Sequence, residues 1–136
     1  MIDLAAKYAT RGPRYTSYPT APQFGESMDR QAALARWAAA DNPLSLYMHI
    51  PYCGVRCLFC GCHTVITPKT ALGDPHVDDL LRELQIVMDC TDFSRPMTQI
   101  ALGGGTPNFL CPADMTRLMR GVLSAVALTD DAEVSI

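Results

Sequence analysis

Residues 43–62 read PLSLYMHIPYCGVRCLFCGC, and the two halves of this stretch follow different rules. In the first half Leu44, Leu46, Met48 and Ile50 alternate with Ser45, Tyr47 and His49. Period two marks a β-strand whose faces differ, one apolar and the other carrying polar and aromatic groups. The second half sets four cysteines within ten residues, Cys53 to Cys62, directly after that strand. A strand that empties into a thiol-rich loop begins a site, and the sequence on either side shows what kind of fold surrounds it.

Downstream, helix and strand patterns alternate. Asp74 is placed to cap a helix whose first position is Pro75, with Val77, Leu80, Leu81, Leu84 and Met88 on one apolar stripe. Residues 99–102 form a short candidate strand that ends in GGGTP, Gly103 to Pro107. Pro112 opens a second helix striped by Met115, Leu118, Met119, Val122, Leu123 and Val126, and Glu133 to Ile136 reads as a third strand. The order β, α, β, α, β predicts an α/β fold of parallel strands joined by right-handed helical crossovers. Folds of this kind bind ligands at the carboxyl ends of their strands, and both unusual motifs sit there.

Upstream the pattern is less regular. GPRYTSYPTAPQF, residues 12–24, is rich in proline, tyrosine and small polar residues, the composition of a fixed but irregular segment. MDRQAALARWAAA, residues 28–40, reads as a short helix stopped by Asp41, Asn42 and Pro43. The chain thus divides into a mixed N-terminal segment, 1–42, and a regular α/β portion, 43–136.

Composition sets the surroundings. A chain of 136 residues with 49% hydrophobic content is enough for one modest domain with a core. Its start has no secretion signal and no apolar run approaches membrane-spanning length, so the expected setting is a reducing, cytoplasmic one without a membrane partner. There, six cysteines point to metal or redox chemistry more than to crosslinks. A net charge of −3 speaks against a general nucleic-acid binder and leaves small-molecule substrates open.

Cys53, Cys57 and Cys60 have the spacing C-x3-C-x2-C, which lets a compact loop wrap three thiolates around one side of an inorganic cluster. A [4Fe-4S] cluster held by three thiolates keeps one iron free, as a catalytic zinc keeps an open position. The competing reading is a structural zinc site closed by those cysteines with Cys62 or His63.

YMHIPYCGVRCLFCGC, followed by GGGTP and preceded by GPRYTSYPT, resembles the radical S-adenosylmethionine enzymes and, within them, the oxygen-independent coproporphyrinogen III oxidases. The resemblance runs along nearly the whole chain, and the combination of motifs is far more specific than the cysteine spacing alone. It implies a partial (β/α)6 barrel of which 43–136 supplies the first βαβαβ portion, with segment 1–42 covering the active site. It implies that Cys53, Cys57 and Cys60 hold a [4Fe-4S] cluster whose open iron binds S-adenosylmethionine. The radical made from that cofactor then takes hydrogen from two propionates of coproporphyrinogen III, which become vinyl groups as carbon dioxide leaves and protoporphyrinogen IX forms. An electron donor such as a flavodoxin or ferredoxin system is implied as a partner.

Residue by residue, the resemblance puts Tyr47 and Phe59 near S-adenosylmethionine. It gives Gly104 a contact to the first cofactor molecule, and Gly105 and Thr106 contacts to a second. Tyr47 and His49 share a strand face, so both are expected to point to the interior, where His49 either lines the site or only fills space. Cys62 is a subgroup marker outside the basic triad and is read as lining the site. Arg14 and Arg56 are candidate cations for substrate carboxylates, or solvated surface residues. Cys90 and Cys111, in or beside the two helices, are expected to be small buried apolar side chains. Leu102 and His63 depart from the family pattern, which has an aromatic residue and an asparagine there. An eight-unit barrel needs about 250 residues, so the chain reads as the first third of an enzyme, inactive alone and with an exposed sheet edge. A heme-binding chaperone of the same superfamily, which shares HIP-x-C and the three cysteines, is the main alternative; it typically lacks Cys62 and GPRYTSYPT.

Overall fold

A computed structural model of the protein describes Gln23, Gly25 and residues 29–58, 60–91 and 93–136. GPRYTSYPT with Arg14, and Phe59 in the cysteine loop, lie outside the described residues. The chain divides into two compact units, Met1–Ala33 and Leu34–Ile136.

Helix α1, Arg30–Ala39, begins in the first unit and continues into the second. Asp29 is its cap: the carboxylate accepts from the backbone N–H groups of Gln31 at 2.9 Å and Ala32 at 3.2 Å.

The second unit contains strands β1 (Leu44–Ile50), β2 (Tyr52–Cys53), β3 (Val65–Ile66), helix α2 (Gly73–Cys90), β4 (Met97–Gly104), α3 (Pro112–Ala125) and β5 (Leu128–Ser135). β1, β4 and β5 form one parallel sheet in the order β1-β4-β5, as the alternating pattern predicts. The apolar face of β1 enters a core made of Leu44, Met48 and Ile50 with Ile100 and Leu102 of β4, Val77 of α2, and Leu118 and Val122 of α3. On the opposite face Ser45 and Gln99 share a hydrogen bond of 3.1 Å, and Tyr47 stands over Gly103. Arg95 ties the end of α1 to the start of β4. It donates to the carbonyls of Trp37, Ala40 and Asn42 while its guanidinium lies 5.2 Å over the Trp37 ring.

Several expectations need correction. β4 and β5 are both longer than the patterns suggest, and β5 includes the charged stretch LTDDAEV because parallel pairing with β4 satisfies its backbone whatever its side chains. Asp74 does not cap α2. A 3₁₀ turn, Thr70–Leu72, runs straight into the helix at Gly73, so Asp74 falls in the first turn, and its carboxylate goes to Arg117 of α3 at 2.7 Å. Arg117 also bonds Asp78, bridging the two helices. Leu123, placed on the α3 stripe, is 46% exposed. Cys90 and Cys111 are exposed rather than buried. Cys111 instead caps α3, its sulfur accepting from the Asp114 N–H at 3.4 Å. Leu102 is a core residue at 6% exposure, so that departure from the family pattern concerns packing.

Candidate metal centre

Pro51 interrupts β1 and turns the chain into β2, which pairs in parallel with β3 and closes the cysteine loop at its base. The Val65 N–H donates to the Pro51 carbonyl at 2.7 Å and the Thr67 N–H to the Cys53 carbonyl at 2.9 Å. From the other side the glycine loop extends the β1–β4 ladder. The Gly105 N–H donates to the Ile50 carbonyl at 2.8 Å and the Thr106 N–H to the Tyr52 carbonyl at 3.0 Å. Cys53 is therefore clamped on both sides, and the Thr106 hydroxyl donates to its sulfur at 3.3 Å. Cys53 is buried, Cys60 half-buried and Cys57 exposed.

These segments enclose a cavity of about 230 Å³, lined by Cys53, Cys57, Cys60, Cys62, Gly104 and Gly105 together with Arg56 and Thr64. The motif after β1 and the motif after β4 thus meet, as expected from their places at strand carboxyl ends. Among the described residues no three His, Cys, Asp or Glu side chains gather as ligands of a single metal ion. A cluster does not ask for that, because each thiolate holds a different iron.

Each glycine of the loop clears space for one residue of the preceding motif. A Cβ at Gly103 would lie 2.8 Å from the Tyr47 ring, and one at Gly105 2.7 Å from the Cys53 sulfur. Gly104 has φ +112°, a conformation open to glycine, and a Cβ there would lie 2.8 Å from the Ile50 carbonyl and 2.9 Å from the His49 ring. The expected reason for the glycines was access for a ligand; close packing against YMHIPYC is a second reason, visible only in three dimensions.

Tyr47 and His49 line a neighbouring hollow of about 530 Å³ along the β1 edge, with His63, His76 and apolar residues of α2. That hollow is the larger of the two, but it lacks the thiolates. His49 Nε2 lies 2.8 Å from the His63 carbonyl and Nδ1 3.0 Å from the Tyr47 hydroxyl. A carbonyl can only accept, so Nε2 carries the hydrogen, and in the neutral ring Nδ1 receives the Tyr47 O–H. His49 thus aims the Tyr47 hydroxyl. Since position 63 contributes its backbone carbonyl, the family's asparagine and this chain's histidine serve that bond equally. His76 of α2 lies 3.1 Å, through Nε2, from the His49 carbonyl and packs edge-on against Tyr52. His76, Thr64 and the Thr106–Cys53 bond had no signal in the sequence. Each depends on a contact made across the fold.

The electrostatics favour thiolate at Cys60. Cys60 is held below the ordinary cysteine range, chiefly by a backbone hydrogen bond from Cys62; burial opposes this, while the charge of Arg56 adds to it. The Cys62 carbonyl lies 4.0 Å from the same sulfur, too long to offset that effect. Soft thiolate donors, a cavity that a Cβ at Gly105 would invade, and a buried Thr64 hydroxyl with no hydrogen-bond partner all fit an iron–sulfur group.

No protein-family model matches the chain. It is 42% identical over 132 residues to the oxygen-independent coproporphyrinogen III oxidase of Pseudomonas aeruginosa, covering 95% of this chain and 29% of that protein. To the protein of the same name from Escherichia coli it is 43% identical, covering 99% of this chain and 30% of the relative. A solved structure described as "Coproporphyrinogen III oxidase (HemN) from Escherichia coli is a Radical SAM enzyme" superposes with a TM-score of 0.81 at 39% identity, over 96% of this chain and 29% of that one. The chain therefore spans about 30% of the length of these relatives. A shorter relative from Mannheimia haemolytica, of the same name, is matched over 92% of its own length and 99% of this chain at 42% identity. This match across both lengths is decisive: the chain belongs to the oxygen-independent coproporphyrinogen III oxidase family.

Proposed function

We propose that the full-length protein performs the reaction for which its relatives are named, converting two propionate side chains of coproporphyrinogen III to vinyl groups and giving protoporphyrinogen IX. The observation that carries this reading is the meeting of Cys53, Cys57 and Cys60 with Gly104 and Gly105 around one cavity at the carboxyl ends of β1 and β4.

In this reading Cys53, Cys57 and Cys60 hold a [4Fe-4S] cluster and leave one iron without a protein ligand. When bound, the cluster supplies the one-electron chemistry that activates S-adenosylmethionine for hydrogen abstraction from a propionate. The chain's own residues do the positioning. Cys53 is fixed by β3 and the glycine loop, which sets one corner of the site before anything binds. The Tyr47 hydroxyl is held by His49, and Tyr47 takes its role as an S-adenosylmethionine contact from the resemblance. Gly104 lets the backbone approach a ligand closely, and Gly105 and Thr106 extend that surface toward a second S-adenosylmethionine. Cys62 lines the cavity without ligating iron. Phe59 and Arg14 take their roles, cofactor contact and substrate carboxylate contact, from the resemblance. Arg56, on the cavity wall, adds positive charge beside the thiolates. The N-terminal segment covers the site, residues 43–136 form part of a (β/α)6 barrel, and a cytoplasmic flavodoxin or ferredoxin system delivers the electron.

The test is anaerobic reconstitution of the full-length protein with iron and sulfide. Expected are about four irons per protein and protoporphyrinogen formation from coproporphyrinogen III that requires both S-adenosylmethionine and reductant. A colourless protein that holds zinc and makes no product refutes the reading.

A further inference from the structure

Thr64 is the residue just before β3, and its backbone position is set by the Val65–Pro51 hydrogen bond beside it. Its hydroxyl is the one buried side-chain polar atom among the described residues without a hydrogen-bond partner. The side chain lines the cysteine cavity with Cys53, Cys57 and Cys60. A buried hydroxyl left unpaired is destabilising, so such groups usually mark a missing partner. Here the cavity itself is the direction in which a partner can lie.

We propose that the Thr64 hydroxyl donates a hydrogen bond to a sulfur of the cysteine-held iron–sulfur group, raising that group's reduction potential. The inference rests on the cluster reading above. A hydroxyl has one proton to donate, and the acceptors this cavity offers once it is loaded are thiolate and sulfide sulfurs. Reduction adds negative charge to those sulfurs, so a donor stabilises the reduced state more than the oxidised one and shifts the potential upward. Thr64 is thus a positioning residue acting through the cluster, with no contact to substrate required.

The experiment compares full-length wild type, Thr64→Val and Thr64→Ser, each reconstituted anaerobically, by iron content and by a redox titration followed by electron paramagnetic resonance. Valine matches the shape of threonine and removes the donor; serine keeps it. Expected is full iron in all three, with the Thr64→Val midpoint shifted negative. At a fixed ambient potential its reduced-to-oxidised ratio should fall about threefold or more, while Thr64→Ser stays near wild type. Loss of iron from Thr64→Val alone, with serine retaining it, also supports a hydroxyl bond to the group. Equal midpoints in wild type and valine overturn the proposal, as does the same shift or the same iron loss in valine and serine. Wild type that binds no cluster overturns the cluster reading instead, so the two failures are told apart.

Discussion

Cys53, Cys57 and Cys60 reach the cavity by different means. Cys53 is clamped between β3 and the glycine loop, whereas Cys57 and Cys60 ride on the loop and are tied to each other by a Cys60 N–H to Cys57 carbonyl bond of 3.2 Å. Each nevertheless holds one iron in the proposed site, so serine at any of the three positions in the full-length protein should reduce iron and sulfide content to background. Full iron in any one of these variants contradicts three-thiolate ligation. Cys62→Ser should behave differently, keeping a four-iron cluster whose spectrum still shifts when S-adenosylmethionine is added, even as activity falls. Iron loss as severe as in Cys60→Ser makes Cys62 a ligand and closes the open iron. Gly104→Ala tests the glycine loop. A side chain at φ +112° that also meets the Ile50 carbonyl should destabilise the fold by at least about 1–3 kcal/mol, read as a lowered urea midpoint. The grouping of Cys53, Cys57 and Cys60 around one cavity was legible in the sequence because a single short loop carries all three. Thr106 was not legible as a partner of Cys53, since 53 residues separate the two and only the β1–β4 pairing joins them.

Among the elements, those with long periodic patterns were the legible ones. β1 alternates over seven residues, and the α2 and α3 stripes repeat over several turns, so type and facing could be read directly. β2 and β3 have two residues each, too few to show any period, and so the pairing that closes the cysteine loop was invisible. Stripe membership was legible but burial was not, because a helix stripe is wider than the contact it makes. Leu118 and Leu123 of α3 belong to one predicted stripe, yet Leu118 is 0% exposed and Leu123 46%. In the 136-residue chain, Leu118→Ala should therefore cost about 2–5 kcal/mol. Leu123→Ala should stay within about 1 kcal/mol of wild type. Urea denaturation of both variants decides the matter, and equal losses would mean that α3 packs through a different face.

At the scale of the whole molecule, the site and the core share β1 and β4 but differ in how they are held. The sheet and helices enclose Ile50, Ile100, Val77, Leu118 and Val122, all at 1% exposure or less. The cysteine loop between β2 and β3 is exposed at Gly54, Val55, Arg56, Cys57 and Leu58, and is anchored mainly at its base. Regions with few buried apolar contacts open locally, at free energies below that of global unfolding. A ligand that binds the closed loop stabilises it by mass action, and the gain is largest where local opening would break the binding. Removing the cluster by chelation from the full-length protein should therefore speed amide exchange across residues 53–66 and 103–107. Exchange in the core strands near Ile100 and in α3 near Leu118 should change little. Hydrogen-exchange mass spectrometry of the loaded and chelated protein measures both regions at once. Equal acceleration in the core would show that loop and sheet open as one cooperative unit, with the metal centre sustaining the fold and not only its own loop.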